Sequence, residues 1–171
     1  MTIATTISMI VAIDEADGIS CSTGLPWPRI AADMAIFRSV TAGKTIVMGH
    51  KTWLTLKAPL EGRRNLVWCS SARHLSPGAE AVTGNTDDIL AHCAGDDIVV
   101  IGGAAVYTQF EPLATRLHIT YVRGHYAADV HWSPSPAWDQ TLAYRDLHDT
   151  TGKRVAGYML LGRSTSMEIA Q

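Results

Sequence analysis

Residues 7–13 read Ile-Ser-Met-Ile-Val-Ala-Ile, seven nearly apolar positions rich in β-branched side chains, and they meet Asp14 and Glu15 at once. Such a run suits a strand buried on both faces rather than one with a face in water. A sheet covered on both faces needs helices, and the sequence supplies them in alternation. Helical spacing over 31–42 puts Met34, Phe37 and Val40 or Thr41 on one side. A strand at 44–48, a short helix at 50–57, a strand at 64–69 and a weak strand near 80–82 follow. Next are a helix at 86–93, a second apolar strand at 97–101, a helix at 103–110 and a strand at 115–122. Residues 141–148 and 154–162 are strand-like and flank Asp149-Thr150-Thr151-Gly152-Lys153, which has the chemistry of a hairpin turn.

This order predicts an α/β fold. A central, mostly parallel twisted sheet of about eight strands would be flanked by helices and closed by a C-terminal antiparallel hairpin, with an antiparallel strand at the edge. No internal repeat or linker divides the chain, so residues 1–171 are read as one domain. Residues 14–30, interrupted by Gly18, Gly24, Pro26 and Pro28, read as irregular, and a loop of that length in a small domain is usually functional.

Several classes of function are disfavoured. A net charge of -2 offers no basic field for nucleic acid or an anionic membrane. The apolar N-terminus lacks a basic leader region, and no run approaches the roughly 20 residues that span a bilayer. Cys21, Cys69 and Cys93 form neither a metal signature nor a paired framework, which points to a reducing compartment. The expectation is a cytoplasmic monomer with no metal, whose ligand is recognised locally.

Ligands of such sheets bind beyond the carboxyl ends of the strands. Two strands end in glycine and run directly into a helix: Val47-Met48-Gly49-His50-Lys51-Thr52 and Val100-Ile101-Gly102-Gly103-Ala104-Ala105. Two readings are open. The glycines make tight turns, or they let the halves of a pyrophosphate approach free N–H groups at helix starts. Asp33 is equally open. It is either a first-turn acid favoured by the helix dipole or a half-buried acid awaiting a partner with paired N–H donors.

In order along the chain stand Ile7-Ser8-Met9-Ile10-Val11-Ala12, Gly24-Leu25-Pro26-Trp27, Asp33 with Phe37, and Val47-Met48-Gly49-His50-Lys51-Thr52-Trp53. They are followed by Pro59-Leu60-Glu61-Gly62-Arg63-Arg64-Asn65, Val100-Ile101-Gly102-Gly103 with Tyr107, Leu117-His118-Ile119-Thr120, and Asp129 to Trp132. This ordered set, spread through almost the whole chain, resembles the dihydrofolate reductase family. The resemblance implies an enzyme that uses NADPH to reduce 7,8-dihydrofolate and that binds antifolates. It implies that Asp33 holds the 2-amino group and N3 of the pterin, that Thr120 bridges to it, and that Trp27 orders a water which enters near Leu25. Ile10, Leu25, Met34, Phe37, Leu56 and Leu60 would wall the cleft, and Val11 and Ile101 would also bind substrate. Arg63 would clamp the α-carboxylate of the glutamate tail.

For the cofactor, backbone at Ala12 and Ile19 would fix the nicotinamide. Gly49, His50, Lys51, Thr52, Gly102, Gly103, Ala104 and Ala105, with Val106 and Tyr107, would hold the pyrophosphate region. Cys69, Ser70, Ser71 and Arg73 would lie toward the 2′-phosphate. A cis Gly102–Gly103 bond and a mobile loop at 14–25 partnered by Asp129 are also implied. Departures from the family pattern include His50, where arginine is frequent, Ala58 near the glutamate tail, Ser20 for a common glycine, and five residues between Trp27 and Asp33, one more than in many members. The competing readings are a same-fold reductase of another heterocycle, such as the pyrimidine of riboflavin synthesis, and a non-catalytic protein that kept the fold. The first lacks the acid after Pro-Trp.

Overall fold

β1 (Ile7–Ile13) lies inside an eight-stranded sheet, and its side chains alternate between two apolar layers. Ile7, Met9, Val11 and Ile13 enter one layer, while Ile10 enters the other with Ala12 packed against it. This period of two is the geometry of a strand, and burial of both sets is why the sequence reads as a continuous apolar run. The computed structural model describes residues 6–164. Residues 1–5 and 165–171, the ends of the span read as one domain, lie outside the described residues.

Among the described residues there are ten strands and four helices, and all but two short strands follow the alternation expected. After β1 come β2 (Gly18–Ser20), α1 (Ala31–Thr41), β3 (Thr45–Gly49), α2 (His50–Thr55), β4 (Arg64–Trp68) and β5 (Ala79–Val82). Then come α3 (Thr86–His92), β6 (Ile98–Gly102), α4 (Ala104–Phe110) with a 3-10 turn at Glu111–Leu113, β7 (Arg116–Val122), β8 (Val130–His131), β9 (Gln140–His148) and β10 (Arg154–Gly162). The main sheet has the order β5-β4-β3-β6-β1-β7-β10-β9. Ile36 of α1 and Trp53 of α2 pack into the layer with Ile10, whereas Ile89 of α3 and Phe110 of α4 pack into the layer with Met9. Among the described residues, no helix is long and apolar enough to cross a membrane.

Two expectations need correction. The antiparallel strand is not at the edge. β10 pairs antiparallel with both β7 and β9, so the reversed strand lies one place in and β9 takes the edge, parallel to the rest. The burial pattern supplies the reason: β10 carries buried Ala156 and Leu161, while almost every residue of β9 is exposed. The second correction concerns residues 14–30, which are not wholly irregular. β2 lies among them and pairs antiparallel with β8, forming a separate two-stranded sheet too short to leave a periodic signature.

At the amino ends of the strands, away from both glycine turns, Arg64 bridges two acids. Its Nε donates to Glu80 Oε1 at 2.9 Å and its Nη1 to Asp96 Oδ2 at 2.9 Å, and His92 Nε2 lies 3.1 Å from Glu80 Oε2. The Arg64 guanidinium draws the Glu80 carboxyl down to about 2, from an ordinary 4.5. A carboxyl depressed on folding stabilises the protein above its unfolded pKa, and that contribution disappears as pH falls through the folded value. Stability in urea should therefore decline between pH 4.5 and 2. Glu80 is half exposed, so solvent limits the pair to about 1 kcal/mol or less. Glu80→Gln should remove that share at neutral pH and flatten the acid limb; an unchanged acid limb would assign it to other carboxylates.

Candidate active site

Asp33 falls in the first turn of α1, a helix whose first residues have no side-chain cap. Its carboxyl group stands beside the hydroxyl of Thr120, which is buried in β7. Burial pushes the Asp33 carboxyl above its ordinary range, and the Thr120 hydroxyl opposes this only in part. The half-buried position beside Thr120 is that of an acid able to take a partner with paired N–H donors. The acid sits inside a crevice rather than in bulk water. The register of β1 against β7 sets Ala12 directly opposite Thr120. Tyr107 of α4 reaches the same place from the other layer, donating its hydroxyl to the Ile10 carbonyl at 2.7 Å. Burial, and then the nearby Asp33 carboxylate, push that phenol upward.

The crevice wall is the layer that contains Ile10. Buried Trp27 belongs to it, and Phe37, Leu56, Leu60 and Ile101 pack against it. Three of the expected residues, Val11, Leu25 and Met34, lie outside that cluster. The Val11 side chain belongs to the opposite layer, because neighbours of Ile10 on a strand must point away from it. Leu25 is exposed in its loop, at 47 %. Met34 is half-buried but outside that cluster. His118, two residues before Thr120, hydrogen-bonds through Nδ1 to the Tyr158 hydroxyl at 2.8 Å, and burial pulls its pKa down to about 4. A separate groove of about 520 Å³ lies between α1 and the β9–β10 hairpin, lined by Ala35, Ser39, Arg145 and Tyr158, and neither Asp33 nor Thr120 lines it.

At the far end of α1, Arg63 donates from Nε to Thr41 Oγ1 at 2.7 Å and from Nη1 to the Glu61 carbonyl at 2.7 Å. Arg64, the next residue, turns to Glu80 and Asp96, whereas no acidic group among the described residues pairs with Arg63. Buried Asn65 holds the segment 60–63. Its Oδ1 accepts from Leu60 N at 2.9 Å, and its Nδ2 donates to the carbonyls of Leu60 at 3.0 Å and Arg63 at 2.9 Å. Leu60 and Arg63 are thus fixed by one amide side chain.

The two glycine turns converge because β3 and β6 are neighbours. A Cβ on Gly49 would come 3.1 Å from Val106, and one on Gly102 or Gly103 would lie 3.5 or 3.4 Å from Thr52 Oγ1. Gly102 has a φ of +126°, which favours glycine, and the Gly102–Gly103 peptide is cis. Neither α2 nor α4 has a side-chain cap at its start, so the first N–H groups of both helices are free of one. β4 pairs with β3, which brings exposed Ser70, Ser71 and Arg73 to the strand ends next to His50 and Lys51; buried Cys69 precedes them, with Arg73 close enough to act on its thiol.

A sequence profile of dihydrofolate reductase matches residues 6–161. The chain belongs to the dihydrofolate reductase family. It is 40 % identical over 137 residues to the dihydrofolate reductase of Neisseria meningitidis serogroup A, a match covering 79 % of this chain and 82 % of the relative. It is 40 % identical over 121 residues to that of Mycobacterium tuberculosis, covering 69 % of this chain and 72 % of the relative. A solved dihydrofolate reductase from Enterococcus faecalis, complexed with NADP(H) and RAB-propyl, superposes with a TM-score of 0.83 at 24 % identity, covering 93 % and 96 % of the two chains. Membership makes the chain an oxidoreductase of the dihydrofolate reductase type.

Residues 14–22 are docked on the segment 124–132. Asp129 accepts from Ser22 N at 2.9 Å through Oδ2, and its own N–H donates to the Ser20 carbonyl at 2.8 Å. The side chain of Ile19 is buried. Two residues of this joint were not singled out from sequence. Tyr126 packs edge-on against Trp27, with centroids 5.9 Å apart and planes at 68°, and Asp14 binds the backbone amide of Tyr126. A polar residue immediately after a buried strand was the available signal for Asp14. Nothing local marks Tyr126.

Proposed function

We propose that the chain reduces 7,8-dihydrofolate to 5,6,7,8-tetrahydrofolate with NADPH. The observation that carries this is the half-buried Asp33 carboxylate beside Thr120, inside an apolar crevice and one strand from Ala12. A pterin presents two adjacent N–H donors, which match a carboxylate bidentately and restore the charge that burial disfavours. Ile10, Phe37, Leu56 and Leu60 exclude water around the ring, and Arg63 takes the glutamate α-carboxylate as a planar fork.

The cofactor suits the residues present. Two uncapped helix starts, reached through glycines, offer N–H groups to a pyrophosphate. His50, Lys51, Ser70, Ser71 and Arg73 form the polar rim for a 2′-phosphate, and backbone at Ala12 and Ile19 fixes the carboxamide. When bound, NADPH supplies a hydride from nicotinamide C4 to pterin C6. Asp33 holds the pterin polarised while N5 is protonated by water admitted beside Leu25 and ordered by Trp27. His118 is unsuited to give that proton: it is neutral at pH 7 and engaged with Tyr158.

The 1–171 chain is read as a single monomeric cytoplasmic domain that also accepts antifolates in this crevice. Loss of reduced-nicotinamide absorbance, with dihydrofolate and separately with an aminopyrimidine of the riboflavin type, tests the assignment. Consumption with dihydrofolate alone is expected. Consumption only with the aminopyrimidine would transfer the chain to the neighbouring branch, and none with either would mark a non-catalytic protein.

A further inference from the structure

Asp14 is the one charged side chain among the buried described residues, at 2 % exposure. Its Oδ1 accepts from the backbone amides of Ala16 and Gly18, each at 2.9 Å, and its Oδ2 accepts from Tyr126 N at 2.9 Å. Burial opposes ionisation, but these amides hold the carboxyl below its ordinary range. A buried carboxylate is a poor source of net stability compared with a well-packed apolar residue. Its value lies in what it fixes. Here it joins the first residues after β1 to a segment more than a hundred positions away.

The joint is tight and shared. Glu15 N donates to the Gly124 carbonyl at 3.1 Å, and Trp132 N donates to the Asp17 carbonyl at 2.9 Å. A Cβ on Gly18 would come 2.6 Å from the Ala128 Cβ and 3.1 Å from Asp14 Oδ1, so the two segments have no slack where they touch. The amide that binds Asp14 Oδ2 belongs to Tyr126, whose ring rests edge-on against Trp27. One carboxylate therefore sets both the backbone leading into Ile19 and the support behind Trp27.

We propose that Asp14 is a positioning residue for hydride transfer: by clamping residues 14–18 to 124–126 it fixes the loop over the nicotinamide and the aromatic pair beside the pterin. The inference rests on the reading above that residues 14–25 cover the nicotinamide. Asp14 touches neither reactant, so its loss acts on the geometry of the reacting pair.

Asp14→Asn keeps the shape but turns one acceptor oxygen into an NH2 group, which then opposes either the Tyr126 amide or the two loop amides. Single-turnover hydride transfer, dihydrofolate affinity and amide hydrogen exchange are measured on wild type and variant. The hydride step is expected to slow by about ten- to a hundredfold, while dihydrofolate affinity holds within about twofold and the Gly18 and Tyr126 amides exchange faster. Gly18→Ala forces the same joint apart sterically and should slow the same step, and adding Ala128→Gly should restore it. A wild-type hydride rate in Asp14→Asn, or equal losses in rate and dihydrofolate affinity, overturns the proposal. Should Asp14→Asn not fold, a wild-type rate in Gly18→Ala, or no recovery with Ala128→Gly, overturns it instead. A wild-type protein that never oxidises NADPH with dihydrofolate removes the assignment beneath the inference, and the inference with it.

Discussion

Asp33→Asn is expected to lower turnover of dihydrofolate by roughly 10²–10³-fold, the scale seen when one preorganised charge partner of a reacting group is removed. NADPH affinity should stay close to wild type, because the two glycine turns belong to other elements. A second effect runs in the opposite direction. Burial raises the Asp33 carboxyl above its ordinary value, so the folded state binds that proton more tightly than the unfolded chain does. For a group shifted this way, stability is greatest below the unfolded pKa of 3.8 and declines as pH rises through the folded value. The ligand-free asparagine variant, neutral and similar in shape, should melt higher than wild type at pH 7 and lose that advantage in acid. Full turnover by this variant at neutral pH would contradict the role given to Asp33.

Arg63→Ala should weaken dihydrofolate binding by about ten- to a hundredfold, the value of a charge-assisted pair, and a pterin lacking the glutamate tail by less than about threefold. The comparison is needed because Arg63 also ties Thr41 and the Glu61 carbonyl, so its removal loosens the end of α1. That loosening would affect both ligands alike. Arg63→Lys should recover little, since a single ammonium cannot match two carboxylate oxygens in a plane. Equal losses for the two ligands would reduce Arg63 to a structural tie.

Much of the architecture is legible because the physics is local. The apolar run at 7–13 and the helical spacing at 31–42 match β1 and α1 to within a residue at each end. The glycine turns are legible for the same reason: a strand, a glycine and a helix are consecutive in the chain. Contacts made across long separations are not. β2 and β8 together contribute five residues, too few for any period to show, and Asp14 finds its partner through a fold that must already exist. Val11 is a different case. Its position next to Ile10 on a strand was enough to send its side chain to the opposite layer, and the alternation of two was visible in the residues themselves. The order of the hairpin arms depends on which arm is more apolar, and β10 exceeds β9 by only a few side chains.

The division of the sheet into two apolar layers bears on how such a protein changes over time. The residues proposed for the pterin cleft belong to the layer of Ile10, on β1, β6, α1 and the loop after α2, while Phe110, Ile89 and Leu117 lie in the other layer. Under selection by a cleft-filling drug, substitutions can therefore accumulate on the ligand side while the second layer keeps the chain folded. Tyr107 is the exception, since it is packed in one layer and bonded to the strand that walls the other. A lineage that alters it would change fitness through both routes at once.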